Sequence, residues 1–382
     1  MKKIFIFLVL MLMLVGLVAP IGSIAQAENL PAVQAKSAYL MDKRTGQMLY
    51  GQRENDHFPI ASMVKIMTAL LTFEEIEKGS LTFDEKILIS DEASGMGGSQ
   101  MFLESGDEYP VTDLLKGVIV VSANDACVAL AERIAGSEAA FVERMNERAK
   151  SLGMKNTMFV NATGLPKEGG YSSAHDVALM LSELTNHERY YDYSKIWLED
   201  YTHPDGRITT LTNTNKFVRF YDECDGGKTG YTSEAKFCLS ACATRGDTKL
   251  ISVVIGADDS KTRFAESKRL LLYGFANYKT EILVKKGESA FLCPVTRGKE
   301  KEVPAYAEQD ISVLYKTGSE QGEYDVQTSY YHVKAPVKKG DKVGEVKLMN
   351  NGEEKVVYLI AAKDIYKAGI SDIYKRIAEK MA

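Results

Sequence analysis

The hydrophobic pattern of this 382-residue chain changes period twice before residue 280. Ser37 to Leu49 alternates around Lys43-Arg44-Thr45-Gly46, which predicts a hairpin. From Ser62 onward, Met63, Ile66, Met67, Leu70 and Leu71 recur at helical spacing. Val111 to Ala135 reads as helices broken around Ser122-Ala123-Asn124. Ala139 to Leu152 and Ala174 to Leu184 are further helices, and 90–109 and 160–173 read as loops. Lys228 to Ala243 and Lys249 to Ala257 then run like adjacent strands linked by Thr244-Arg245-Gly246-Asp247, and Lys261 to Tyr278 is again helical. Strands first, helices in the middle and strands last imply one sheet built from both ends of the segment, with helices packed on it.

Beyond Thr280 the character shifts. Short strands separated by Lys-Gly, Asn-Gly and Pro signals run to about Ala361 and predict a small all-β domain over 280–362. The last residues, 363–382, read as an amphipathic helix. Its apolar stripe is Ile365, Tyr366, Ile370, Ile373, Ile377 and Met381, flanked by Lys363, Lys367, Lys375, Arg376 and Lys380, a pattern that suits a membrane surface. A helix docked on its own domain is the alternative. At the other end, Lys2 and Lys3 precede an apolar run from Ile4 to Val18, and Ala25-Gln26-Ala27 offers a small-x-small cleavage site. Residues 1–27 therefore read as a secretory signal peptide, with 28–279 as the main domain.

Composition narrows the function classes. Loss of Lys2 and Lys3 with the signal peptide moves the formal charge from −5 to −7. A mildly acidic exported protein is a poor nucleic-acid binder. The five cysteines, Cys127, Cys224, Cys238, Cys242 and Cys293, are an odd, sparse set and read as small buried thiols, not a disulfide framework. No G-x-S-x-G, H-E-x-x-H or G-x-G-x-x-G occurs, the five histidines are scattered, and no metal or cofactor is implied.

Three short strings carry chemistry when taken together. In Ser62-Met63-Val64-Lys65, a serine at a helix start faces a lysine nearly one turn on. Such a lysine, partly desolvated among other cations, can be neutral near pH 7 and take the serine proton. In Ser122-Ala123-Asn124, the hydroxyl can relay a proton and the amide can hold a peptide carbonyl or orient Lys65. In Lys228-Thr229-Gly230, lysine adds positive charge, threonine can bond a carboxylate, and glycine lets a substrate backbone lie against the strand edge. Each string alone is cheap. Ser233-Glu234-Ala235-Lys236 repeats the first in a predicted strand, and Lys316-Thr317-Gly318 repeats the third in the β-rich tail.

The order helix, loop, strand, together with the leader, tail domain and terminal helix, resembles the low-molecular-mass penicillin-binding proteins, the serine-type D-alanyl-D-alanine carboxypeptidases. The resemblance covers essentially the whole mature chain. It implies an α/β (α+β) catalytic domain of the penicillin-recognising serine transpeptidase/β-lactamase type, with an antiparallel sheet and a helical region, plus the small all-β C-terminal domain. By motif match, Ser62 would be the acylated nucleophile, Lys65 the base and Ser122 the proton relay. Asn124, Lys228, Thr229 and Gly230 would bind substrate, and the backbone N–H groups of Ser62 and Tyr231 would form the oxyanion hole. Arg263 resembles the arginine that assists carboxylate binding, and Asp176 the acid bracing the loop beside the site. The implied partners are peptidoglycan stem peptides ending in D-Ala-D-Ala and β-lactam antibiotics, outside the cytoplasmic membrane.

Two departures from the family pattern are visible: Ala123 stands where Gly or Asp is common, and Tyr231 replaces a histidine found in some members. Two rival functions share the motifs. A β-lactamase would need a loop glutamate to activate the deacylating water, and Glu168, the only glutamate in 160–173, lacks the E-x-x-L-N surroundings. A non-catalytic wall-binding module would not need the matched pair of Ser62 and Lys65.

Overall fold

The computed structural model describes residues 32–319 and 324–372. The expected signal peptide lies outside them, as do residues 373–382 of the expected terminal helix.

The first hairpin pairs β1 (Ser37–Asp42) with β2 (Met48–Gln52) around the 43–47 turn. A 3-10 turn at Ala61–Val64 leads directly into helix α1 (Lys65–Glu77), and α2 (Asn124–Ala135), α3 (Glu138–Ser151) and α4 (Ala174–Leu184) follow. Three strands then return: β3 (Cys224–Thr232), β4 (Lys236–Arg245) and β5 (Thr248–Ala257), before helix α5 (Ser260–Asn277). The five strands form one antiparallel sheet in the order β2-β1-β5-β4-β3. Ser37 lies opposite Ile255 in this sheet, so it is assembled from both ends of the segment.

Strand alternation gives the sheet two apolar faces. Tyr39, Met41, Cys238, Cys242, Ile251, Val253 and Ile255 join the helical core with Met67, Leu70, Leu130 and Leu181. The opposite face carries α5. A Cβ on Gly274 would lie 2.5 Å from Leu250 Cδ1 and 3.1 Å from Leu40 Cδ2, so the missing side chain is what lets this helix close on the sheet. Ser252 and Ser267 hydroxyls bond each other across the same contact at 2.7 Å.

Two local expectations change. The stretch Lys228 to Ala243 is two strands, and Ser233-Glu234-Ala235 is the turn between them. The second Ser-x-x-Lys therefore sits in a turn, not inside a strand. The 90–109 stretch is not wholly loop, because Asp91–Ser94 is a short helix capped by Ser90 Oγ and Glu108–Pro110 pairs with Lys86–Leu88.

The C-terminal domain is all-β. Strands β6 (Tyr278–Val284), β7 (Phe291–Thr296), β8 (Glu302–Ala307), β9 (Ile311–Lys316), β10 (Tyr324–Tyr330), β11 (Val333–Lys334), β12 (Lys342–Asn350) and β13 (Glu353–Ala361) form a pair, β6-β9, and a six-stranded sheet, β10-β12-β13-β8-β7-β11. They enclose a separate apolar cluster that includes Val303, Val313, Val346, Val357 and Leu359. The turn of the first hairpin is tied into this domain: Gln47 Nε2 donates to the Asn350 carbonyl at 3.0 Å, Lys355 Nζ to the Arg44 carbonyl at 2.7 Å, and Arg44 pairs with Asp310.

The expected helix over 363–382 is corrected at its start. Residues 363–369 are not helical; Ile365 bridges Val337 and Lys367 bridges Gly298. Ile365 is buried in the β cluster, so it cannot belong to a membrane-facing stripe. Tyr366 and Ile370 are exposed, and helix begins only at Ile370. No helix among the described residues is long and apolar enough to cross a membrane.

Candidate active site

Ser62 sits in the 3-10 turn, immediately before α1, with Lys65 as the first residue of that helix. Lys65 Nζ lies 3.1 Å from Ser62 Oγ and also donates to the Thr163 carbonyl. The lysine is fully buried, and burial pushes its pKa down to about 8, against a weaker upward pull from Cys127 and Asp125. An amine so placed is about one-tenth neutral at pH 7, far more than an ordinary lysine, and has a hydroxyl within reach of its lone pair.

Lys228, Thr229 and Gly230 lie on β3, the sheet edge that faces the turn. A Cβ on Gly230 would lie 2.6 Å from the Ile60 carbonyl oxygen and 3.3 Å from Ser62 N, so only glycine allows this approach of strand to nucleophile turn. Lys228 is buried, its Nζ donates to the Thr229 carbonyl at 3.1 Å, and burial holds its pKa well below the ordinary lysine value. The charges of Lys65 and Arg263 push the same way. Thr229 Oγ1 donates to Thr214 Oγ1 at 2.7 Å, and Thr214 N–H bonds the Val120 carbonyl at 3.1 Å. Thr214 therefore stitches the third motif to the helix leading into the second.

Ser122 ends a wide helical turn, Gly117–Val121, in the left-handed conformation, with φ 66°. Its Oγ is buried and has no hydrogen-bond partner among the described residues. An orphaned buried hydroxyl costs stability, and such groups concentrate where a ligand completes them. Asn124 starts α2, and its bonds run to the neighbouring loop: Nδ2 to the Gly97 carbonyl at 2.6 Å and N–H to the Ser99 carbonyl at 2.7 Å. No hydrogen bond joins Asn124 to Lys65.

Arg263 approaches from beneath. Its Nη1 donates to the carbonyls of Gly230 and Cys238, each at 3.1 Å, while its buried Nε is unpartnered among the described residues. The guanidinium thus clamps the β3–β4 hairpin behind the tripeptide. Tyr231 is exposed and packs on Phe237, with ring centroids 4.4 Å apart. Asp176 is buried in the first turn of α4. Its Oδ2 accepts from Asn156 N–H at 2.7 Å and from the Thr157 hydroxyl at 2.9 Å. It therefore grips the root of the 158–171 loop, where Met158 bridges Tyr171. This loop walls an open cleft of about 490 Å³ beside the nucleophile turn, lined among others by Ala61, Leu165, Glu168, Tyr171, Thr232 and Glu234.

Sequence reasoning missed Thr214 and the Thr163 carbonyl. Asn213-Thr214-Asn215 and Asn161-Ala162-Thr163-Gly164 carry ordinary turn signals, but nothing in them points at a lysine far away in sequence. All five cysteines are buried and unpaired, and no group of three or more His, Cys, Asp or Glu among the described residues is placed to hold a metal ion.

Comparison with known proteins supplies the context of this geometry. Residues 24–259 match the family model for D-alanyl-D-alanine carboxypeptidases, and 278–367 match the C-terminal domain of penicillin-binding protein 5. The chain is 41% identical over 348 residues to the D-alanyl-D-alanine carboxypeptidase DacF of Bacillus subtilis, covering 90% of this chain and 89% of that one. It is 34% identical to the carboxypeptidase DacC of Escherichia coli, covering 86% and 83%. Among solved structures, penicillin-binding protein 5 from Haemophilus influenzae superimposes with a TM-score of 0.69 at 32% identity, covering 88% of this chain and 99% of that one.

Proposed function

This chain belongs to the D-alanyl-D-alanine carboxypeptidase family, and from that premise we propose that it removes the terminal D-alanine from peptidoglycan stem peptides through an acyl-enzyme on Ser62. The observation that carries the reading is the buried Lys65 amine 3.1 Å from Ser62 Oγ, on a turn against which Gly230 lets the sheet edge close.

The chemistry follows from those positions. Neutral Lys65 takes the Ser62 proton as Oγ attacks the carbonyl of the penultimate D-alanine. The N–H groups of Ser62 and Tyr231 receive the developing oxyanion. The leaving amine takes its proton through Ser122, whose hydroxyl gains there the partners it otherwise lacks. Lys228 and Thr229 receive the substrate's terminal carboxylate. An anion beside Lys228 favours its charged form, against the burial that holds its pKa below the ordinary lysine value. Arg263 and Asp176 act at one remove, by fixing the tripeptide strand and the loop. Water then resolves the ester. Penicillin would enter by the same route, its carboxylate on Lys228 and Thr229.

A β-lactamase reading is disfavoured by the loop. The group it turns toward Lys65 is the Thr163 carbonyl, which can only accept, while Glu168 stands exposed in the outer part of the cleft. The catalytic part corresponds to 28–279, with 280–362 as an accessory domain. The leader suits export, with cleavage after Ala27 and action on the outer side of the cytoplasmic membrane. Exposed Tyr366 and Ile370 support contact of the C-terminal end with a membrane surface.

Intact-mass measurement during incubation with benzylpenicillin, with the adduct mapped by peptide, tests the core of this reading. A long-lived adduct on Ser62, with D-alanine released from a D-Ala-D-Ala peptide, is the expected result. Folded protein that forms no adduct would overturn it. N-terminal sequencing of the mature chain tests the leader. Fractionation with and without 363–382 tests the membrane contact, and an unchanged distribution would refute it.

A further inference from the structure

One buried side chain outside the three motifs closes the turn that touches Lys65. The amide of Asn161 spans the 161–165 turn with both of its ends: Oδ1 accepts from Gly164 N–H at 2.7 Å, and Nδ2 donates to the Leu165 carbonyl at 2.9 Å. Between those two clasps the chain presents the Thr163 carbonyl to Lys65 Nζ. The turn is pinned from behind as well, because Thr68 Oγ1 donates to the Ala162 carbonyl at 2.7 Å and Ala162 N–H donates to Glu138 Oε1 at 2.9 Å. It is pressed on the nucleophile turn in front: Gly164 has φ +77°, and a Cβ there would lie 2.0 Å from the Ala61 carbonyl oxygen.

The geometry of an amine makes this clasp consequential. Neutral Lys65 has two N–H bonds and one lone pair in tetrahedral array. When one N–H is committed to a fixed carbonyl, rotation about the terminal C–N bond is limited to two arrangements, and in one of them the lone pair faces Ser62 Oγ. Without the carbonyl, the amine gains a third arrangement, with its lone pair turned to the Thr163 side, and Nζ is no longer fixed beside Oγ. We propose that Asn161 is a positioning residue for deprotonation of Ser62: its amide closes the 161–165 turn, which fixes the Thr163 carbonyl against Lys65. Asn161 does this without a hydrogen bond to Ser62 or Lys65, and the proposal rests on the reading above of those two residues as nucleophile and base.

The test is stopped-flow acylation by benzylpenicillin, separating the pre-covalent dissociation constant, the first-order acylation rate and the fraction of enzyme acylated. For Asn161→Ala, the acylation rate should fall about 10- to 100-fold, the effect of a misplaced reacting group, with the dissociation constant and final fraction unchanged. A purely structural role would instead lower the acylated fraction and leave the rate of the folded remainder alone, and that result would overturn the proposal. Asn161→Asp keeps the acceptor for Gly164 N–H and loses the donor to Leu165. Its rate should lie between wild type and Asn161→Ala, with the acid limb of the pH profile moved to higher pH, because an added carboxylate favours the Lys65 ammonium. If Asn161→Ala does not fold, a wild-type rate and profile in Asn161→Asp would be decisive against the idea. Ser62→Ala run alongside separates the two readings. An adduct that persists in Ser62→Ala refutes the nucleophile, whereas its loss there together with wild-type acylation in Asn161→Ala refutes the positioning role alone.

Discussion

The chain carries two copies of Ser-x-x-Lys and two of Lys-Thr-Gly, and the members of each pair sit in opposite surroundings. Lys65 is buried against Ser62 Oγ and a main-chain carbonyl, whereas Lys236 is exposed at the start of β4, with Ser233 exposed in the turn before it. Lys228 and Thr229 are buried on the inner run of a sheet edge, whereas Lys316, Thr317 and Gly318 are exposed where β9 ends. The residue types are the same and the local spacing is the same. What differs is desolvation, which lowers a lysine's pKa only where water is excluded, and a second chain segment that supplies the partner. A motif is therefore a request for an environment, and only one copy of each receives it.

That contrast can be broken at several points. The largest effect belongs to the nucleophile: Ser62→Ala should lower the rate of D-alanine release by at least about 10⁴-fold, while Ser233→Ala should leave it unchanged. Equal losses in the two variants would mean that burial does not distinguish the copies. Lys65→Arg keeps the charge and removes the base, since a guanidinium does not deprotonate. Its acylation rate should drop about 10²- to 10⁴-fold, with Lys236→Arg silent in the same assay.

The glycines of the two tripeptides should separate activity from stability. Gly230→Ala would drive a methyl to within 2.6 Å of the Ile60 carbonyl oxygen, so strand and nucleophile turn must part. Acylation should slow about 10- to 100-fold. Gly318 has φ +84° and open space around it, so Gly318→Ala should cost about 1 kcal/mol of stability in denaturant titration and nothing in acylation. The gentlest probe is pH. Because burial pushes Lys65 down to about 8 and the base must be neutral to work, the acylation rate should be flat above that midpoint and fall about tenfold per pH unit below it. A profile with no inflection between pH 6 and 9 would remove Lys65 as the base.

Much of this was legible in residue order. The period change from alternation to helical spacing and back required a sheet shared by both ends of the segment, and β1 does pair with β5. The first copies of the three motifs fall on a helix start, a helix break and a strand, where their chemistry is useful. The illegible parts have a common cause. The Thr163 carbonyl reaches Lys65 as main chain, which every residue carries, so no side-chain pattern announces it. Thr214 and Asn161 act by bridging backbone segments, and turn-forming residues look alike whether or not something depends on the turn. Periodicity also misled at Ile365. An apolar residue at helical spacing was equally able to fill the β cluster, and the two bridges formed by Ile365 and Lys367 won locally over helix propensity.

The pairing of Ser37 with Ile255 also sets a timetable. A polypeptide emerges from a ribosome, or threads a translocation pore, with its first residues in front. The leading hairpin must wait, unpaired along one side, until almost the whole of the segment up to β5 has followed it. The same hairpin then offers its turn to Asn350 and Lys355, later still. Closure of the five-stranded sheet must thus wait for Thr248–Ala257, and docking of the final domain for residues later still, and contacts between such distant parts of a chain form slowly. Until that strand has followed, the leading hairpin is a sheet edge without its neighbour.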